Sequence, residues 1–427
     1  MVARRGSSSV ADKTVGPGLS IWTGVLFVLV IGILAGCGGQ DQGSSEEPAN
    51  PGGSGDQTEP QGSDGQTELT ESGTPAPEET GRPDLEGTSA EATSAQTGPV
   101  RVETSVVARG LEAPWGLAFL PSGQALVTER DSGRLLSVDS SGNVEELQTL
   151  PAAGRGEGGL LGIALSPDYE TDGLIYAYYS TDEDNRVVRF RMGESPEPVF
   201  TGIPVNSYHN GGRIAFGPDG MLYVGTGDAG DTSTSQNTNS VAGKILRLTP
   251  EGGVPQDNPF PNNPVYSYGH RNVQGLAWDA GGQLYASEFG QDVYDEVNRI
   301  EPGGNYGWPD VEGEGGDPRY ADPIATWSPT SEASPSGAEI LVNGAIPQWE
   351  GDFFMAGLRG QRLFRLDLDE RGNVTEREEF LRGEAGRLRH VEQAPDGSLW
   401  VLTNNRDGRG NPIADDDRIL RLGPASG

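Results

Sequence analysis

Six times between Trp115 and Leu422 the chain repeats one pattern: a short apolar strand, a Pro-Asp-Gly-like turn, a second apolar strand, a polar loop, and a third strand rich in Arg and Leu. First strands begin near Trp115-Gly116-Leu117-Ala118-Phe119, Leu160-Leu161-Gly162-Ile163-Ala164, Arg213-Ile214-Ala215-Phe216, Gly275-Leu276-Ala277-Trp278, Ala338-Glu339-Ile340-Leu341-Val342 and Leu388 to Gln393. Third strands include Arg134-Leu135-Leu136-Ser137-Val138, Lys244-Ile245-Leu246-Arg247-Leu248, Arg362-Leu363-Phe364-Arg365-Leu366 and Arg418-Ile419-Leu420-Arg421-Leu422. Repeats of roughly 40 to 60 residues with almost no helical periodicity predict an all-β chain, a six-bladed β-propeller with four-stranded antiparallel blades. A large Greek-key sandwich is the competing architecture, and it lacks so regular a repeat. Because the chain ends on a third-type strand, Val102 to Ala108 is expected to supply the missing outer strand and close the ring.

In a propeller the first strands line the axis and run the same way, so residues just before them, or just after the second strands, gather at one mouth. That rule collects Glu157 from the second unit, His209 and Asp228 from the third, Arg271, Asn272, Gly290 and Gln291 from the fourth, Arg359 from the fifth, and Arg387 and Arg389 from the sixth. Pairing Gly217 with Gly220 across the third hairpin gives partner numbers that sum to 437, which sets His209 opposite Asp228. A carboxylate on one imidazole nitrogen leaves the other free as a general base. The competing reading is a purely structural His-Asp hydrogen bond. The other two histidines, His270 and His390, lie inside arginine clusters, where a proton is held less readily.

Residues 1–36 read as an export signal: Arg4, Arg5 and Lys13 precede an apolar run from Ile21 to Leu34, too short for a membrane span. Cys37, the only cysteine, follows Leu34-Ala35-Gly36, as at a bacterial lipoprotein cleavage site, so it is expected to be lipidated and to anchor the protein outside the cell membrane. An ordinary secretory signal is the alternative, and the export route stays open. Residues 37–98 carry 13 Asp or Glu against Arg82 alone, without an aromatic, and read as a disordered acidic linker. About 60 residues of such chain span roughly 40 Å root-mean-square. Residues 99–427 form the propeller.

The net charge of −33 divides into +2 for residues 1–36, −12 for residues 37–98 and thus −23 for residues 99–427. So acidic a domain repels nucleic acid and anionic lipid. Several arginines at one mouth of it point to a small, multiply anionic ligand, unless each simply pairs with a neighbouring carboxylate. The loop Glu288 to Glu296, followed by Gly303-Gly304-Asn305-Tyr306-Gly307-Trp308-Pro309, offers hard oxygen donors that suit calcium better than zinc.

His209-Asn210-Gly211-Gly212-Arg213 with Thr226-Gly227-Asp228, then Tyr268-Gly269-His270-Arg271-Asn272-Val273-Gln274-Gly275, the Glu288-to-Glu296 loop, Gly303 to Pro309 and Arg387-Leu388-Arg389 together resemble the glucose/sorbosone dehydrogenase family over roughly residues 110 to 422. The resemblance implies a six-bladed propeller that uses pyrroloquinoline quinone (PQQ) and Ca2+ to oxidise an aldose sugar at C1, passing electrons to an unidentified acceptor. It assigns His209 as the base, oriented by Asp228, and a PQQ site built from Glu157, His209, Arg271, Asn272, Arg359, Arg387 and Arg389. It further implies one calcium on the Gly290 and Gln291 carbonyls and a second, structural one at Glu296, the Tyr306 carbonyl and Asp317. Glu157 stands where glucose-oxidising members have Gln, and Arg359 where they have Lys; Glu157 beside an anionic cofactor needs a cationic or protonated setting. Trp308 or Trp327 is a candidate sugar platform. A cofactor-free carbohydrate- or protein-binding propeller and a calcium-dependent lactonase are the two alternatives.

Overall fold

A computed structural model describes residues 100–425; the export signal, Cys37 and the acidic linker lie outside the described residues. Six four-stranded antiparallel sheets form the predicted propeller. The third blade is typical: Ile214–Phe216 lies innermost, followed outward by Leu222–Gly225, Lys244–Leu248 and Val265–Tyr268. The ring closes as expected, with Val102–Ala108 pairing antiparallel to Ile419–Pro424 as the outermost strand of the sixth blade.

Six apolar clusters hold the ring together, one between each pair of neighbouring blades. Between the fifth and sixth blades Trp349, Phe354, Leu363, Leu388 and Val401 are buried together. Between the sixth and first, Trp400 and Leu402 meet Leu117 and Val127. Burial of each such side chain is worth roughly 1.5–3 kcal/mol, so the ring is stabilised blade against blade without a disulfide. Near the axis the inner strands approach until only glycine fits. The Gly162 N–H donates to the Gly212 carbonyl at 3.1 Å, and a Cβ on Gly162 would collide with that oxygen.

Two local features depart from the simple hairpin expectation. The ladder of the third blade pairs Ile214 with Val224 and Phe216 with Leu222, so partner numbers sum to 438. The predicted register is therefore one residue off. Gly220 adopts φ +73° and donates to Gly217, whose own N–H donates to Met221: a type I turn followed by a left-handed residue, which adds one position to the loop. In addition, five of the six inner strands carry a β-bulge toward the same end. The breaks fall between Pro114 and Leu117, Leu160 and Ile163, Val273 and Gly275, Pro335 and Ala338, and Leu388 and His390. A bulge bends its strand and re-aims the extra side chain. Trp115, Gln274 and Arg389 all sit inside these breaks and line one cavity on the axis.

Deleting residues 101–108 leaves Ile419–Pro424 as an unpaired edge and opens the ring. Urea denaturation should show a loss of at least about 3 kcal/mol, together with aggregation; unchanged stability would mean that the closure contributes nothing.

Candidate active site

His209 and Asp228 do meet, though not across a ladder. The regular strands stop at Ile214 and Gly225, and the chain beyond them is loop. His209, Gly211 and Gly212 all take positive φ (56°, 63° and 108°), which curls the loop onto residues 227–229. The Ala229 N–H donates to the His209 carbonyl at 3.1 Å, and the His209 N–H donates to Glu157 Oε2 at 3.0 Å. His209 Nδ1 lies 2.7 Å from Asp228 Oδ1. Asp228 is 1% exposed and also accepts from the Gly230 N–H at 2.8 Å and from Trp308 Nε1 at 2.9 Å. Burial opposes its charge, but the hydrogen bonds from His209, Gly230 and Trp308 outweigh that and hold the carboxyl below its usual range. An ionised acceptor places the proton on His209 Nδ1 and leaves the Nε2 lone pair free. Trp308 is thus a hydrogen-bond donor to the carboxylate, and Trp327 packs on Phe364 away from the mouth, so neither stands as a free sugar platform.

His209 opens on an axial cavity of about 200 Å3 whose wall carries Arg130, Arg271, Arg359, Arg389 and Arg409 against only Glu157 and Asp407. Arg389 donates to Gln274 Oε1, Ser336 Oγ and Asn404 Oδ1, all uncharged, and burial pushes its guanidinium down to about 9. Arg271 lies over the Trp308 ring, has a buried Nε with no acceptor, and is likewise pushed down by burial. Arg359 is exposed at the rim. Arg130 is paired with Asp131 at 2.7 Å, Arg409 with Glu157 at 2.8 Å, and Arg389 Nη2 lies 4.0 Å from Asp407 Oδ2, whereas Arg271 and Arg359 make no ion pair among the described residues.

Glu157, Arg271, Asn272, Gly290, Gln291, Arg359 and Arg389 all line this cavity, as the mouth rule predicts. Arg387 does not: its Nε and Nη2 both donate to Asp407 Oδ2, at 3.0 and 2.7 Å, behind the wall. That pairing leaves Arg387 to brace Asp407 rather than to face a ligand. Glu157 has the cationic setting it needs in Arg409, whose Nη1 donates to Glu157 Oε1 at 2.8 Å. Burial resists ionisation there, yet the His209 N–H and Arg409 together hold the carboxyl below its usual range.

Arg130, Asp407 and Arg409 escaped the sequence reading. Arg130 directly follows the second strand of the first blade, and Asp407 follows Leu399–Thr403 by four residues, so the mouth rule applied to every blade would have found both. Lys244 was also missed. It is fully buried, and its Nζ donates to the carbonyls of Thr234, Ser235 and Ala242 at 2.8, 2.9 and 2.6 Å, clamping the loop that follows Asp228. His270 is a structural residue, held between Glu288 and Ser267 and stacked on Tyr306. His390 lies on the axis beyond the cavity floor, beside Glu392.

Beside the mouth, Glu288, Glu296, Glu312, Gly290 and Tyr306 line a second, small space. Burial, reinforced by Glu288, pushes the Glu296 carboxyl up to about 8. Asp317 is not brought to this group; it is ion-paired to Arg319 at 2.7 Å. Among the described residues no three His, Cys, Asp or Glu side chains form a ready metal cage, so a cation here would draw on backbone carbonyls.

Comparison with known proteins shows the family. A family signature described as Glucose / Sorbosone dehydrogenase matches residues 111–420. The chain belongs to the glucose/sorbosone dehydrogenase family. It is 52% identical to the aldose sugar dehydrogenase of Streptomyces coelicolor, solved in a PQQ-bound form, with a TM-score of 0.71 over 76% of this chain and 99% of that one. It is 29% identical to the aldose sugar dehydrogenase of Escherichia coli over 73% of this chain and 92% of that protein. Quinoprotein glucose dehydrogenase B of Acinetobacter calcoaceticus is 33% identical over 60% of this chain and 64% of its own length.

The depressed Asp228 carboxyl carries a pH signature. Its contribution to stability is complete above the unfolded value of about 4 and is lost as pH falls through the lower folded value. The stability gap between wild type and Asp228→Asn, measured by denaturation, should stay constant from pH 8 to about 4 and close below that. A gap that closes near neutrality would contradict the assignment.

Proposed function

We propose that this protein oxidises the C1 hydroxyl of an aldose sugar to its lactone with PQQ as cofactor and calcium as its partner ion, and hands two electrons to an unidentified acceptor. The observation that carries the reading is that the free nitrogen of a carboxylate-held imidazole opens on the same cavity as five arginines. A tricarboxylate answers that excess of positive charge, and the orphaned Arg271 Nε and the Arg389 guanidinium are the donors best placed to meet it. Asn272, Arg359, Arg130 and Glu157 complete the cradle. Gly290 and Gln291 line the cavity, and their carbonyls would supply calcium with hard-oxygen donors; Glu296 with the Tyr306 carbonyl would hold a second, structural ion.

When bound, PQQ supplies a quinone that takes up the hydride from C1, and calcium supplies a Lewis acid that polarises it. The chain does the rest. His209 Nε2 accepts the proton of the anomeric hydroxyl as the C1 hydrogen leaves with its electron pair. Asp228 balances the imidazolium so formed and, with Trp308 and Gly230 holding its own oxygens, keeps the ring from turning. Burial of Asp228 and the tight loop around His209 limit the motion that a base must not have. We further propose that Cys37 carries a lipid that displays the enzyme outside the cell membrane; the support is the signal pattern of residues 1–37.

Dye-linked assays with aldoses in saturating PQQ and calcium should show turnover that falls by about 10²–10⁴-fold in His209→Ala, with a smaller change in the sugar KM. Chelation of calcium should abolish the rate and calcium should restore it. No dye reduction with any aldose tested would reject the reading.

A further inference from the structure

Beyond the floor formed by Trp115, Gln274 and Arg389, the axial channel opens into a second cavity of about 430 Å3, walled by all six inner strands and reached from the opposite face. Its wall is shared about equally by polar and apolar surface; Leu117, Ile163, Ile214 and Leu276 turn their side chains into the inter-blade cores, and the partly exposed aromatics on the wall are Phe119, Phe216 and Trp278. The charged and titratable groups that face it come from three strands alone: Arg213 from the third blade, Glu339 from the fifth, and His390 and Glu392 from the sixth. None of them takes part in the chemistry proposed for the other mouth.

These groups are poorly satisfied. Glu339 accepts from the N–H of Ile340 at 3.1 Å and of Gln393 at 3.5 Å, and Glu392 has His390 Nε2 at 3.1 Å. The remaining nitrogen of His390 faces the Gly337 α-carbon, where not even a Cβ would fit, so it offers nothing to a ligand. Arg213 is 4% exposed; its Nε donates to the Gln274 carbonyl at 2.8 Å, it stacks on Trp115 at 4.2 Å, and its buried Nη2 has no acceptor at all. Burial pushes Glu339 up to about 7 and drives Glu392 up as well, with Glu339 adding to the effect and Arg213 opposing it. Two neighbouring carboxyl groups thus lack a full counter-charge, while one guanidinium nitrogen lacks an acceptor, inside one chamber.

An inorganic cation answers only half of this and meets Arg213 as a like charge; among the described residues no cluster of three or more acidic, His or Cys side chains is arranged to hold one. A simple amine leaves Arg213 unmet, and a simple carboxylate leaves the glutamates unmet. We propose that this distal chamber binds a free apolar α-amino acid, with its ammonium on Glu339 and Glu392, its carboxylate on Arg213, and its side chain against the partly exposed Phe119, Phe216 and Trp278. The inference is independent of the reading of the opposite mouth, since no quinone, metal or sugar enters it.

Isothermal titration of the full folded chain, without PQQ, tests it with L-leucine, with 3-methylbutylamine, which lacks the carboxylate, and with 4-methylpentanoate, which lacks the ammonium. The expected result is saturable one-to-one binding of leucine, about tenfold or more weaker for each truncated analogue. Glu392→Gln and Glu339→Gln should each weaken leucine by about tenfold or more with an unchanged melting profile; if one fails to fold, the other decides. Absence of leucine binding, equal binding of the amine, displacement by CaCl2, or indifference to both substitutions would overturn the proposal.

Discussion

Five guanidinium groups share the wall of one axial cavity with two carboxylates, and both carboxylates are already engaged. Asp407 serves Arg387 from behind, and Glu157 serves Arg409 and the His209 backbone. Arg271 and Arg389 are buried against amides, hydroxyls and a tryptophan ring, with Asp407 4.0 Å from Arg389 as a partial counter-charge, and burial lowers both guanidiniums. Leaving a buried ion unpaired costs several kcal/mol, so the arrangement is one that a folded chain keeps only if something else supplies the stability. Here it is supplied by the six inter-blade cores, and the anionic ligand proposed for the cavity would return part of it on binding, coupling ligand affinity to resistance to unfolding.

The scaffold positions these charges through a repeated device. Inner strands crowd so closely at the axis that glycines face neighbouring backbones, and just beyond that contact five of the six strands bulge. The extra residue of a bulge is freed from strict alternation, which is how Trp115, Gln274 and Arg389 come to face the lumen from strands that otherwise bury their side chains between blades. The loop of His209 achieves the same end with consecutive left-handed residues instead of a bulge. Rigid strands therefore carry Arg389 and Gln274, while His209 sits on a loop pinned by Asp228 and Glu157.

Much of this was legible in the residues. The repeat of Pro-Asp-Gly turns and Arg-Leu strands yields the blade count, and the unpaired final strand yields the closure by Val102–Ala108. The mouth rule collects the cavity wall because chain direction alternates strictly within a blade. What escaped it depends on one-residue geometry. The left-handed Gly220 shifts the register of the third hairpin, so the His209–Asp228 contact is real although the ladder that was to produce it ends five residues short of His209. Arg387 and Arg389 are two residues apart and look equivalent in a string. Only the bulge between Leu388 and His390 turns Arg389 to the lumen while Arg387 pairs with Asp407. The family resemblance set Asp317 with the Glu296 group, yet Arg319, two residues on, pairs with it.

The most direct test of the central claim, that this cavity is a cationic cradle matched to a tricarboxylate quinone, is an equilibrium absorbance titration of the protein with PQQ in calcium. The account predicts a saturable one-to-one spectral change whose affinity falls by about tenfold or more in Arg271→Gln and in Arg389→Gln. A change that never saturates, or one indifferent to both substitutions, would contradict it.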